Sequence, residues 1–181
     1  MRGRFWLILL VGMMLLAGCG GETPVPPPVG DVDRIAEEAA RAYAARDWAR
    51  AAELYEALTR ARPHDADAWV RLGWALKATR RYEEALAAFA HADREDPHLF
   101  WSALGQAQVY VQLERWDLAF AEYQRAIDID PRKKSPHYQR VLLYLRLHQD
   151  DAAADAALFG LHYFPEDETL RALWARARGR H

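Results

Sequence analysis

A fixed interval of 34 residues runs through the chain and constrains its fold more than any other feature. Four prolines mark the interval: Pro63, Pro97, Pro131 and Pro165. Three further columns keep the same step: Ala51, Ala85, Ala119 and Ala153; Tyr55, Phe89, Tyr123 and Ala157; and Trp48, Tyr82 and Trp116. A period of this length indicates stacked units, each of which buries its apolar face only against its neighbours.

The composition favours helix within each unit. Ala, Leu, Glu and Arg are abundant, and no run of β-branched residues indicates a strand. We therefore predict an all-α chain in which each of the four prolines follows the end of a helix. Ser135-Pro136 marks one helix start, because serine caps helices and proline suits their first turn. The predicted helices span 32–46, 48–61, 66–79, 82–95, 99–114, 116–129, 136–148 and 150–163.

A ninth helix is predicted over 166–178. Leu170, Leu173 and Trp174 recur there at helical spacing, with acids before them and arginines after them. One end of a stacked array needs a cap with a polar outer face, which is the role we expect for this helix.

The second unit carries the fullest motif: Trp69-x2-Leu72-Gly73-x2-Leu76, then Ala85-x3-Phe89 and Pro97. It resembles the tetratricopeptide repeat (TPR), which reads W-x2-L-G-x2-Y, A-x3-F and P, with leucine in place of tyrosine. The resemblance implies a right-handed solenoid of four TPR units over 31–165, followed by a capping helix and tail over 166–181. In the third unit Trp101-x2-Leu104-Gly105 lies two residues too early, which predicts an early helix start or unusual packing.

The N-terminus carries a separate signal. Arg2 and Arg4 precede an apolar run from Phe5 to Leu16, which is too short to span a bilayer as a helix but has the length of a signal-peptide core. Leu16-Ala17-Gly18-Cys19 follows and resembles the lipobox of bacterial lipoproteins. The resemblance implies that residues 1–18 are a signal peptide and that Cys19 is acylated. In many Gram-negative lipoproteins an aspartate after the cysteine retains the protein at the inner membrane; because Gly20 stands there in this sequence, the resemblance implies the periplasmic face of the outer membrane.

Residues 19–30 form the predicted link between anchor and repeats. Pro24, Pro26, Pro27 and Pro28 favour extended polyproline II, so this segment is expected to act as a semi-rigid tether. A proline-rich ligand site is the alternative interpretation.

Catalytic and ligand-binding motifs are not evident. Seven histidines are scattered without metal-ligand spacing, and no phosphate-binding glycine loop or nucleophile motif is present. The net charge of −2 argues against a nucleic-acid partner. We predict a protein that is not an enzyme, with no cofactor, metal or small-molecule substrate.

The TPR resemblance implies a groove lined by the first helix of each pair, and side chains off the core stripe of those helices are its candidate residues. They are Tyr43, Val70, Trp74, Lys77, Trp101, Gln108, Gln112, Tyr138 and Arg146, with Ala36, Ala40, Leu104, Leu142 and Leu145 as further positions. The alternative for Trp74 and Tyr138 is packing between helices. The basic and asparagine residues with which some TPR domains clamp a carboxylate are mostly missing from these positions.

These features together predict a lipid-anchored scaffold or assembly factor of the bacterial envelope that binds a protein or peptide partner in the groove. Pilus, outer-membrane and cell-wall machinery are the candidate settings. The alternative is a structural subunit whose repeats mainly mediate self-association.

Overall fold

The computed structural model describes residues 29–179, and helices with short turns account for all of that stretch. The helices are α1 (Val29–Ala44), α2 (Trp48–Ala61), α3 (Ala66–Ala78), α4 (Tyr82–Glu95), α5 (Phe100–Gln112), α6 (Trp116–Ile129), α7 (Lys134–Arg146), α8 (Asp150–Tyr163) and α9 (Glu168–Arg178). No strand occurs between residues 29 and 179, so the predicted all-α class is confirmed.

Each helix packs against the next along the chain, which makes four pairs: α1 with α2, α3 with α4, α5 with α6, and α7 with α8. The ninth helix packs on α8 and also contacts α7. Leu170 on α9 is fully buried, whereas most of its other residues are exposed. This division between a buried stripe and a solvated face is what a terminal cap requires.

The second helix of every pair spans the predicted residues. Trp48, Tyr82, Trp116 and Asp150 are the first residues of α2, α4, α6 and α8. The first helices end one or two residues earlier than predicted, because a residue in the left-handed region stands two positions after the last residue of each helix. These residues are Arg46, Arg80, Glu114 and His148, with φ of 59, 64, 56 and 56°. These four positions are again 34 residues apart.

The left-handed residues close matching C-terminal caps. In the second unit the Arg81 N–H donates to the Leu76 carbonyl over 2.9 Å, and the Arg80 N–H donates to the Lys77 carbonyl over 3.0 Å. This pair of bonds is the Schellman motif, and equivalent bonds close the first helix of the other three units. Glycine usually occupies the left-handed position, so its absence hid the helix ends from the sequence.

Four helix starts also differ from prediction, and that of α5 differs by a single residue, because this helix begins at Phe100 rather than residue 99. Helix α1 begins at Val29 rather than residue 32, so residues 29 and 30 belong to it and not to the tether. Helix α7 begins at Lys134; the Ser135 hydroxyl accepts a hydrogen bond from Gln139 Nε2 over 2.7 Å, and the cap residue is Lys133. Helix α9 begins at Glu168, because the Asp167 carboxylate caps it by accepting from the Leu170 N–H over 3.0 Å.

The predicted signal peptide, the predicted acylation site Cys19 and the remainder of the predicted tether lie outside the described residues. Within 29–179, no helix is both long enough and apolar enough to cross a membrane.

One aromatic ring fixes the contact between the second and third units. Phe89 on α4 is fully buried between α3 and α5, opposite a glycine on each side. A Cβ at Gly73 would lie 2.6 Å from the ring, and a Cβ at Gly105 would lie 2.3 Å from it. Helix α5 starts 34 residues after α3, in register, so the early glycine of the third unit reflects packing and not an early helix start.

We predict that Gly105→Ala destabilises the chain by about 1–3 kcal/mol through overpacking. The Phe89 ring has no free space in which to move away from Gly105, because Gly73 is in close contact with the same ring. Gly30→Ala is the control, since no atom lies within 4 Å of the added Cβ. Urea unfolding followed by circular dichroism measures both variants. Equal midpoints for Gly105→Ala and the unmutated chain would contradict the packing argument.

Candidate functional site

Two adjoining cavities open on the face formed by the first helices. The one that we call the aromatic cavity encloses about 390 Å³ between α1, α3 and α5. Its lining residues are Tyr43, Asp67, Val70, Arg71, Trp74 and Trp101. Four of these, Tyr43, Val70, Trp74 and Trp101, were predicted from the sequence as groove residues.

Trp74 connects the aromatic cavity to the core. Its ring meets Phe89 edge to face, with centroids 6.1 Å apart, and meets Trp101 at 6.3 Å. Its indole N–H donates to the Trp101 backbone carbonyl over 3.1 Å. Both interpretations offered for Trp74 therefore apply, because one part of the ring packs between helices while another lines the cavity.

Trp101 presents the largest accessible aromatic surface at this cavity, with 56% of the residue exposed. Tyr43 forms the opposite wall and is held by edge-to-face contacts with Trp48 and Tyr55. Burial raises the pKa of the Tyr43 phenol, with Arg71 opposing this effect. The guanidinium of Arg71 lies 5.8 Å from the Tyr43 ring centroid. The cavity is thus an apolar, aromatic site with one cation and one carboxylate at its rim.

The second cavity, which we call the amide cavity, encloses about 440 Å³. It is lined by Lys77, Tyr82, Gln108, Val111, Gln112, Tyr123 and Gln139. A chain of hydrogen bonds orders its wall: Gln108 Nε2 donates to Gln139 Oε1 over 3.0 Å, and the Tyr123 hydroxyl donates to the same oxygen over 2.9 Å. Burial raises the pKa of Tyr123 to about 12, so its hydroxyl stays a donor at neutral pH.

Lys77 lies between the two cavities. Its Nζ is 4.2 Å from the Trp74 ring centroid and donates to Gln108 Oε1. Burial lowers the pKa of the Lys77 ammonium to about 8. Among residues 29–179, no carboxylate lies at ion-pairing distance from this nitrogen.

Tyr138 and Arg146 were predicted as groove residues but line neither cavity. The Tyr138 hydroxyl donates to the Asp167 carboxylate, so this side chain holds α9 against α7. Arg146 lies over Trp116, with its guanidinium 5.1 Å from the ring centroid. Of the further positions, Leu104 and Leu145 are core residues, at 2% and 4% exposure.

Sequence reasoning missed six lining residues: Asp67, Arg71, Tyr82, Val111, Tyr123 and Gln139. For two of them a signal exists. Arg71 and Gln139 each lie 16 residues after a repeat tyrosine, Tyr55 and Tyr123, and each hydrogen-bonds that phenol. Metal binding has no support in the described part of the chain, where no three His, Cys, Asp or Glu side chains group closely enough to hold an ion.

Comparison with protein families matches two models, each described as tetratricopeptide repeat, at residues 42–107 and 103–133. Together the matches run without a gap over 42–133. The chain is a tetratricopeptide-repeat protein. The TPR solenoid predicted from the 34-residue period is confirmed by these matches and by structural similarity to other TPR proteins.

Two solved structures illustrate the similarity. A thermophilic TPR protein of Thermus thermophilus shares 23% identity at a TM-score of 0.66, with 82% of this chain and 81% of that chain covered. MamA of Desulfovibrio magneticus shares 16% identity at a TM-score of 0.70, with 82% and 84% covered. At these identities the likeness shows the TPR fold alone. No curated protein matches the sequence.

The contacts of Asp167 with Lys134 and Tyr138, which hold the capping helix α9 against α7, can be tested by varying the pH. The Lys134 ammonium, at 2.7 Å, and the Tyr138 hydroxyl lower the pKa of Asp167 to about 2. Because the folded pKa lies below the ordinary value of about 3.9, the ionised form stabilises the fold. That contribution is complete above about pH 4 and is lost as the pH falls through about 2.

We therefore predict that Asp167→Asn lowers the free energy of unfolding by about 1 kcal/mol at pH 7, and that its effect shrinks toward zero near pH 2. Urea unfolding at the two pH values measures the difference. Asp155→Asn, at an exposed position on α8, is the control. A loss of the same size at both pH values would show that the charge of Asp167 is not responsible.

Proposed function

We propose that this TPR protein is a non-enzymatic scaffold that captures a peptide segment of a protein partner in the aromatic cavity. The observation that supports this most is the exposure of Trp101 beside a preformed cavity of about 390 Å³. Aromatic side chains around a pocket are typical anchors of protein interfaces, and a pocket of this size accepts one or two apolar side chains. Tyr43, Val70 and Trp74 in the cavity wall are fixed by packing, so these side chains need little ordering on binding.

The proposal includes the setting of this scaffold. We propose that residues 1–18 are a lipoprotein signal peptide, that Cys19 is acylated, and that the repeats face the periplasm from a bacterial membrane. The lipobox Leu16-Ala17-Gly18-Cys19 supports the anchor, and Gly20 favours the outer membrane. Two or more acyl chains would anchor the chain stably. The partner then belongs to an envelope machinery, such as that of pili, the outer membrane or the cell wall.

Binding in the aromatic cavity is tested by Trp101→Ala. We expect at least a tenfold loss in recovery of specific partners from detergent-solubilised membranes, because a tryptophan anchor contributes about 2 kcal/mol or more. Trp101 is a better choice than Trp74, whose ring supports Phe89 in the core. Leu118→Ala is the control, because Leu118 is an apolar side chain of similar exposure, 47%, on the second helix α6. Recovery that is equal for both variants would exclude the aromatic cavity as the binding site.

The anchor is tested by metabolic labelling with an alkyne fatty acid. We expect the unmutated chain to carry the label and to begin at Cys19, while Cys19→Ser keeps its N-terminal segment and carries no label. Gradient separation of the membranes adds the location: the unmutated chain should sediment with the outer membrane, and Gly20→Asp should shift it to the inner membrane. An unmutated chain without lipid would refute the anchor.

A further inference from the structure

The charge of Lys77 has no counter-charge in the described structure, although the side chain is half-buried. The ammonium group carries three N–H donors. One of them bonds Gln108 Oε1, and the face of Trp74 lies 4.2 Å away. Neither contact neutralises the charge, and burying an unpaired cation is costly. A ligand carboxylate in the amide cavity would accept from the remaining donors.

The distribution of charge along the solenoid supports a ligand of negative charge. The four first helices α1, α3, α5 and α7 hold seven basic and five acidic residues. The four second helices α2, α4, α6 and α8 hold four basic and twelve acidic residues. The helices that supply most of the cavity lining are therefore less acidic than the second helices, in a chain whose net charge is −2, and two cations, Arg71 and Lys77, lie at the cavities themselves. Such an asymmetry attracts acidic partners and orients them.

The two cavities share a wall formed by Trp74 and Lys77, whose groups are in direct contact. A single short peptide can therefore occupy both, with an apolar side chain against Trp101 and a carboxylate beside Lys77. Gln112 is exposed at the rim of the amide cavity, where its amide can donate a further hydrogen bond.

We propose that the amide cavity binds a carboxylate of the same peptide whose apolar side chain fills the aromatic cavity, so that the partner segment is acidic; this inference rests on the proposed function. The specificity follows from Lys77 together with Gln108, and the affinity follows mainly from the aromatic cavity. An uncharged peptide leaves the ammonium unpaired and binds more weakly.

The test uses the full-length chain in detergent micelles and libraries of acetylated, amidated hexapeptides with a fluorescent label. One position of the hexapeptide is fixed in each library and the others are varied. One pair of libraries compares Glu with Gln at the fixed position, and a second pair compares Trp with Ala. Fluorescence polarisation measures the dissociation constant of each pool. We expect Glu pools to bind about tenfold more tightly than the matched Gln pools, and Trp pools more tightly than Ala pools.

Lys77→Met removes the charge and keeps the length of the stem that packs on Trp74. We expect it to abolish the preference for Glu over Gln and to leave the preference for Trp over Ala intact. Trp101→Ala should do the opposite. Lys133→Met is the matched control, because Lys133 is an exposed lysine in the turn before α7.

The outcomes separate the two proposals. Equal binding of Glu and Gln pools, or a Glu preference that survives in Lys77→Met, overturns the carboxylate inference and leaves the aromatic cavity as a binding site. Failure of every pool to bind overturns both. Sedimentation of the same samples tests whether a second copy of this chain occupies the cavity instead. If the unmutated chain forms oligomers and Lys77→Met dissociates them, the cavity binds the acidic second helices of another copy, and the peptide inference is wrong.

Discussion

The contact of the Phe89 ring with Gly73 and Gly105 determines both the packing of the solenoid and the form of its candidate site. The ring fills the space that two missing Cβ atoms leave on facing helices. Trp74 rests edge to face on the same ring, and its indole N–H reaches the first turn of α5 at Trp101. Lys77 then lies over Trp74. The aromatic cavity and the amide cavity are thus outer layers of a packing arrangement whose centre is one phenylalanine.

A pairing rule extends this contact to the other units. Each second helix carries one position of the column Tyr55, Phe89, Tyr123 and Ala157. The residue at this position faces the residue 16 positions later in the sequence, which lies on the next helix along the chain. Where the ring is tyrosine, that residue is polar and bonds the phenol: Arg71 for Tyr55 and Gln139 for Tyr123. Where the ring is phenylalanine, the residue is glycine, which offers no donor but leaves room. In the last unit Ala157 replaces the ring, and Leu173 of the capping helix packs against the cluster that contains it.

The rule follows from the physical chemistry of buried rings. A buried phenol needs a hydrogen-bond partner, while a buried phenyl ring needs only close contact. It also explains the early glycine of the third unit, which looked like a departure from the motif. Gly105 does not replace Gly73 in the same role; the two glycines contact one and the same ring. A motif scan treats each unit separately and cannot detect a requirement that two units share.

The sequence predicted the helix pairs and the bounds of all four second helices, because an aromatic or acidic residue begins each of them and a proline follows each of them. The first helices predicted from the sequence were one or two residues too long at their C-terminal ends. The Schellman caps that end them depend on backbone conformation and carry no glycine; their left-handed residues are Arg46, Arg80, Glu114 and His148. For the site, helical spacing placed seven of nine candidates at one cavity or the other. Tyr138 and Arg146 line neither cavity, and their role in partner binding stays a prediction; spacing on one helix does not reveal their contacts with Asp167 and Trp116 on neighbouring elements.

Lys77 shows how packing and function can be told apart in such a repeat. Its stem lies on Trp74 in a place where an apolar side chain of equal length would pack without the desolvation of an ammonium group. The lowered pKa of about 8 reflects that desolvation. Had the cation served the fold, a carboxylate within reach would be expected, as Lys134 has in Asp167. Helix α5 offers no acid at all and α3 only Asp67, in the other cavity. The charge of Lys77 is therefore better explained as part of the surface offered to a ligand than as a contribution to the packing.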